Sequence, residues 1–243
     1  MSRQGALRIG TSGSHYDHWK GVFYPEDLPK TEWFSYYARH FDTVEINNTF
    51  YRLPEAATFD AWRTQAPKGS CYALKFSRYG SHIVRLRKPR ETISKFIKRA
   101  DRLGEVLGPI LVQLPPNWKA DPERLAAFLK AAPKNYRWAV EFRDRRWLCE
   151  EVFAILNQND CALCIHDMID DHPRMTTADW TYLRFHGAHY SGSYSSEKLR
   201  AEARWIKQQL VAGRDVFAYF NNDAQGCAVA NAIELRRYSE LKN

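Results

Sequence analysis

Three short apolar runs each carry two polar residues spaced two apart: Glu45 and Asn47 in TVEIN, Glu141 and Arg143 in AVEFR, Arg184 and His186 in YLRFHG. Alternate side chains of an extended strand share a face. Val44 with Ile46, Val140 with Phe142, and Leu183 with Phe185 make one face apolar, so each polar pair projects together from the other. Lys75 and Gln113 end two further runs, Asp167 ends another, and Tyr219, Asn221 and Asp223 share a parity in the last. Lysine and arginine so placed suit a phosphate or carboxylate, arginine through two oxygens at once. Glu45, Glu141, Asp167 and His186 are acid–base candidates. On this reading Glu141 and His186 handle protons as catalytic residues, while Glu45 and Asp223 orient partners. Lys75, Arg143 and Arg184 hold an anionic substrate, with Asn47, Gln113 and Asn221 beside them. Arg78 and His82, just past Lys75, and Thr11 and Ser12 in the GTSG turn complete the substrate-binding set.

Charges this deep are costly unless paired or facing a wet cavity. Any one of them therefore has a structural alternative; Glu141 could simply pair with Arg143 or Arg184. A ring of them at several strand ends points to a ligand site instead. The carboxylates and His186 are legal ligands for a divalent ion. Three fixed positive charges in the same pocket repel a cation, so a tightly held metal is not favoured and no cofactor is assigned. Glu45 and Glu141 also meet the minimum of two carboxylates for glycoside hydrolysis, at a separation that spacing alone leaves open.

The elements that must position these residues alternate along the whole chain. Eight strand-like runs are expected: Leu7–Gly10, Thr43–Asn47, Cys71–Phe76, Ile110–Leu114, Arg137–Phe142, Ala162–Asp167, Thr181–His186 and Val216–Asn221. Amphipathic runs lie between them, the clearest being Ile93, Phe96, Ile97, Ala100, Leu103 and Leu107 after Pro89. Asp121 followed by Pro122 reads as an N-cap and first helical residue. Residues 168–180 show no helical period, so the repeat is expected to be irregular between the sixth and seventh strands. Strands alternating with helices over 243 residues, close to the roughly 250 typical of the fold, predict an α/β chain that is a single (β/α)8 (TIM-type) barrel, one domain over 1–243.

The formal net charge is +8, and residues 75–102 hold ten Lys and Arg against two acids. The rest of the chain, with 26 basic and 26 acidic residues, is neutral, so the excess is a local patch that draws an anionic partner to one side. No run of 18 apolar residues and no apolar leader is present, and a cytoplasmic protein without a membrane partner is the expectation. Five cysteines in such a chain argue against a disulfide framework. Cys161 and Cys164 fall in one strand, on opposite faces, which argues against a shared metal. The stretch from Gly187 to Ser196 reads as a loop beside the pocket, with Tyr190 and Tyr194 as stacking candidates.

Taken in order, IGTSG at 9–13, GVFYP at 21–25, TVEINNTFYRLP at 43–54, LKFSRYGSH at 74–82, VQLPP at 112–116, AVEFRDRRW at 139–147, YLRFHG at 182–187 and YFNNDAQGCAVANA at 219–232 resemble the YecE-like family, domain-of-unknown-function family 72. The resemblance spans nearly the whole chain and implies a (β/α)8 barrel. It supplies no reaction; suggestions for the family rest on likeness to phosphodiester-cleaving barrels such as apurinic endonucleases. The chain departs from the family pattern at Ser14 and His15, at Gly80 and Ser81, and at Asp144, positions that would reshape the rim of the pocket.

The leading expectation is a hydrolase acting on a phosphorylated or nucleic-acid substrate, guided in by segment 75–102. A non-catalytic binding protein for nucleic acid or a small anion is the first alternative, and a sugar-active barrel enzyme the second. Catalysis itself, and the oligomeric state, are not fixed by the sequence.

Overall fold

The structure is a computed structural model and describes residues 3–187 and 192–240. Its strands are β1 (Leu7–Thr11), β2 (Thr43–Ile46), β3 (Cys71–Lys75), β4 (Leu107–Gln113), β5 (Trp138–Glu141), β6 (Ala162–His166), β7 (Trp180–Phe185) and β8 (Asp215–Phe220). They form one sheet in the order β1-β8-β7-β6-β5-β4-β3-β2. A parallel bridge from Ser12 to Glu45 joins β1 to β2, so the first and last strands of that order are neighbours too. The chain has the (β/α)8 fold.

The helices are α1 (Trp33–His40), α2 (Asn48–Tyr51), α3 (Ala56–Gln65), α4 (Pro89–Ala100), α5 (Pro122–Ala131), α6 (Glu150–Gln158), α7 (Ser196–Val211) and α8 (Cys227–Ser239). Local chemistry explains their starts. Asp121 accepts a hydrogen bond from the Arg124 amide at 3.1 Å with Pro122 at the first helical position, and Ser195 does the same for Lys198 at 3.2 Å. In α4, Ile93, Phe96 and Ala100 are buried, as their spacing requires. No helix among the described residues is long and apolar enough to cross a membrane.

The chain divides into two compact units. The first comprises residues 1–45 and 181–243. Here α7 packs on α8 and α8 on β1, and Leu183, Phe185, Ile206, Val216 and Leu235 are buried. β1 and β8 run parallel, in register from Leu7 with Val216 to Thr11 with Phe220. β1 also approaches β2 so closely at Gly10 that a Cβ there would lie 2.3 Å from the Thr43 carbonyl oxygen. Only glycine fits.

The second unit comprises residues 46–180. β4 and β5 run parallel in register from Ile110 with Trp138 to Gln113 with Glu141. Every residue of β5 and β6 is buried, as a parallel strand covered on both faces requires. No helix lies between β6 and β7, matching the absence of helical period in residues 168–180. Instead Thr177 docks on the start of β6: its hydroxyl donates to the Cys161 carbonyl at 2.7 Å and accepts from the Leu163 amide at 2.8 Å. One side chain thus satisfies two buried main-chain groups.

Two short elements escaped the periodicity, both in the second unit. α2 is a single turn directly after β2, and Tyr79–Ile83 forms one turn of π-helix after β3. Neither is long enough to show a repeat. The five cysteines are free thiols; Cys161 precedes β6, Cys164 lies within it, and burial pushes the Cys161 thiol upward.

Candidate functional site

In the first unit Glu45 on β2 is fully buried and collects three donors. Oε1 accepts from the Ser12 hydroxyl at 2.6 Å and from Arg184 Nη2 at 2.7 Å, and Oε2 accepts from the Tyr182 hydroxyl at 2.6 Å. Tyr182 and Arg184 are alternate residues of β7, so one strand face presents both. Burial, and then the adjacent Glu45 carboxylate, push the Tyr182 phenol well above its ordinary range and keep it a donor. The Thr11 hydroxyl donates to the Gly13 carbonyl at 2.6 Å and its amide donates to the Tyr37 hydroxyl at 3.0 Å. Thr11 and Ser12 are almost completely buried and turned to internal partners, which suits them to supporting the tip of β1.

His186 follows β7 and is enclosed. The Asn221 amide nitrogen lies 3.2 Å from Nδ1; donation to that atom puts the imidazole proton on Nε2. Asp223 goes elsewhere. β8 ends at Phe220, so strand parity does not reach residue 223. Its carboxylate lies 3.3 Å from His18 Nε2, and its carbonyl accepts from Trp19 Nε1 at 2.9 Å. Tyr190 lies outside the described residues. Tyr194 is not presented for stacking: its ring packs on Phe185 and Phe220, and its hydroxyl accepts from the Gly187 amide. Asn222, which parity assigns to the apolar face, is fully buried, and its amide nitrogen donates to the Gly192 carbonyl and to Asn231 Oδ1.

The second unit holds the other half of the expected residues. Glu141 ends β5, fully buried, and Oε1 accepts from Gln113 Nε2 at 2.8 Å and from Arg143 Nε. The pair read from AVEFR is therefore in contact, and Gln113 meets it because β4 and β5 are in register at that level. Cys164 Sγ lies 3.9 Å from the other carboxylate oxygen. Lys75 ends β3, with its ammonium 4.2 Å above the centre of the Phe50 ring from α2. His82, on the π-turn, meets the same ring edge-on at 4.9 Å, with Nδ1 2.9 Å from the Ser81 hydroxyl. Burial first, then the positive charges of Lys75, Arg78 and Arg143, hold the His82 imidazole down to about 4, against a smaller opposing effect of Glu141. Asn47, at the start of α2, is half-buried, and its side-chain oxygen accepts no hydrogen bond among the described residues.

His166 is the true last residue of β6, one place before Asp167, which is exposed. The His166 Nδ1 accepts from the Met168 amide at 3.1 Å, and its ring lies 4.5 Å from that of His172. Burial, and then His166, hold His172 down to about 4. The strand could be ended correctly only by seeing that Asp167 leaves it.

The basic segment is not uniform. Arg102 makes two bonds to Asp60, at 2.6 and 2.7 Å, and Arg99 reaches Glu55 at 2.8 Å, so its far end is neutralised against α3. Arg78, Arg85, Arg87 and Arg90 are exposed, and Arg85 stands over the Trp118 ring. Among the described residues no three His, Cys, Asp or Glu side chains are arranged to hold a metal ion.

Comparison with known proteins gives kinship and no chemistry. The family described as "Protein of unknown function DUF72" matches residues 8–243. The UPF0759 protein YecE of Escherichia coli K12 is 34% identical over 110 residues, 44% of this chain and 40% of that protein, so the match spans less than half of the relative's length. The UPF0759 protein YunF of Bacillus subtilis 168 is 21% identical over 90% of both chains. A crystal structure of a DUF72 family protein from Thermotoga maritima is 26% identical and covers 96% of this chain and 98% of that one, with a TM-score of 0.85. With the match running from Arg8 in β1 through the end of α8, the chain belongs to the DUF72 family.

Proposed function

We propose that the chain is a phosphoester hydrolase whose phosphoryl group binds in the second unit, at the ends of β3 and β5. One observation carries this reading: Lys75, Arg78 and Arg143 act together on the single imidazole of His82, with one carboxylate, Glu141, opposing them. Burial is the larger cause of that depression, but the three cations outweigh the one carboxylate near the ring, and a net positive potential there favours an incoming anion. Arg143, held by Glu141 through Nε, brings a fixed positive charge to the end of β5, where it attracts a phosphoryl group. The neutral His82 can add a hydrogen bond without adding charge.

In the hydrolytic step the oxygen of a water attacks phosphorus as the ester P–O bond breaks. The water's proton passes to the Glu141 carboxylate, and the leaving alkoxide takes a proton from solvent. The cationic side chains stabilise the charge that grows on the equatorial oxygens. Glu141→Gln keeps the size and the hydrogen bond to Arg143 while removing the base. Loss of turnover on a panel of phosphomonoesters and dinucleotides, with unchanged phosphate affinity, supports the assignment; full activity in that variant overturns it.

A second reading is a non-catalytic anion-binding protein. It is favoured by the complete enclosure of Glu141, whose Oε1 already accepts from Gln113 and Arg143. Its signature is phosphate or nucleic-acid affinity that falls steeply with salt, with no turnover of any ester.

A further inference from the structure

Beside the cationic group, in the same unit, lies a pocket of about 320 Å³ lined by Phe50, Tyr51, Ser77, Tyr79, Glu91 and Lys95, among others. The volume sits at the lower end of the roughly 300–1,000 Å³ range of ligand sites. Two of its aromatic walls face solvent: Tyr51 is 75% exposed and Tyr79 47%. Large aromatic side chains so exposed at the rim of a cavity offer flat, uncovered ring faces. The fixed wall is Phe50, which is buried. That one ring also carries Lys75 at 4.2 Å from its centre and His82 on its edge, so the pocket and the cationic group share a wall. Chain connectivity binds them as closely. Ser77 and Tyr79 line the pocket, and Arg78, one of the charges acting on His82, lies between them.

The polar lining narrows the occupant. Glu91 and Lys95 lie one helical turn apart on α4, and both reach the pocket, one offering an acceptor and the other a donor. Thr92 spends its donor elsewhere, since its hydroxyl donates back to the Lys88 carbonyl at 2.8 Å. Glu91 and Lys95 are both exposed at the rim, where Glu91 also has Lys88 Nζ 3.7 Å from its carboxylate, so the pocket joins an apolar wall to a charged edge. A flat ring carrying donors and acceptors on its edge would use the aromatic walls and the polar rim together. A covalently attached phosphate on the same molecule would use Lys75 and Arg78.

We propose that this pocket receives the base of a nucleotide whose phosphate occupies the adjacent cationic group. The inference rests on the phosphoryl-site reading above and names its substrate class: a nucleotide, either free or as one unit of a single-stranded nucleic acid. The base stacks between Tyr51 and Tyr79 and on Phe50, while its edge meets Glu91 and Lys95.

The test compares four probes by calorimetry: inorganic phosphate, ribose 5-phosphate, adenosine 5′-monophosphate and a short single-stranded oligoadenylate. Base stacking predicts that the monophosphate or the oligomer binds about tenfold or more tighter than ribose 5-phosphate. Tyr51→Ala with Tyr79→Ala removes about that advantage and leaves ribose 5-phosphate affinity unchanged. Both side chains are exposed, so the variant folds; an unchanged melting temperature checks this. Whichever base-bearing probe shows the tyrosine-dependent gain identifies the source. Equal affinity for ribose 5-phosphate and both base-bearing probes, or a gain insensitive to the tyrosines, overturns the base pocket while leaving the phosphoryl site standing. No binding of any probe overturns both.

Discussion

Arg184 Nη2 donates to Glu45 Oε1 at 2.7 Å with both side chains essentially closed to solvent. Such a pair adds little net stability against an apolar replacement, yet removing one member strands a buried charge. Arg184→Met is expected to cost about 3–5 kcal/mol in urea denaturation. Combined with Glu45→Gln it should cost clearly less than the two single losses added, because no buried charge then lacks its partner. Simple additivity would show that the two side chains do not depend on each other.

The pH dependence of stability has a defined sign. His82 and His172 are each held at about 4 in the folded protein, against an ordinary 6.5. Between those values the unfolded chain binds protons that the folded one does not, so stability is full above about pH 6.5 and falls as pH drops toward 4. His172→Asn should flatten part of that slope in denaturation midpoints taken across the window.

Phosphate binding should move His82 upward. A dianion placed among Lys75, Arg78 and Arg143 offsets the charges that depress the imidazole. Titration of the His82 ring proton by NMR, with and without millimolar phosphate, reads the change directly. An imidazole indifferent to phosphate would place the anion elsewhere.

Charge reversals along the basic segment should separate sharply. Arg78→Glu is expected to weaken phosphate binding about tenfold or more. Arg102→Glu should leave it unchanged, because Arg102 is already paired twice with Asp60 and acts at the far end of α4. Equal effects would mean that only the overall charge matters.

Thr177→Val keeps the shape of the side chain and removes the hydroxyl that serves both the Cys161 carbonyl and the Leu163 amide. Leaving two buried main-chain groups unpaired should cost about 1–3 kcal/mol each, read as a lower denaturation midpoint at constant m-value.

Much of the fold was legible because the strands are short, apolar on one side and separated by regular helices. Parity put Glu141 and Arg143 on one face, and they are in contact; Arg184 shares its face with Tyr182, and their common partner, Glu45, comes from a strand distant in sequence. Parity stops where the strand stops. Asp223 lies three residues past β8 and turns to His18, and Asp167 yields its place to His166. The aromatic wall of the base pocket stayed hidden for a different reason. α2 is one turn long, and a single turn has no period to detect. Phe50 becomes a neighbour of Lys75 only through the return of the chain after β2, which no local pattern encodes.

The placement of Lys75 above the Phe50 ring has an entropic side. A lysine free in solvent samples many rotamers, and fixing it costs up to about 2 kcal/mol. Here the ring and the burial of the stem restrict those rotamers within the fold itself. An anion bound as proposed would therefore meet an ammonium already in place, and its binding free energy would not be diminished by ordering the group that receives it.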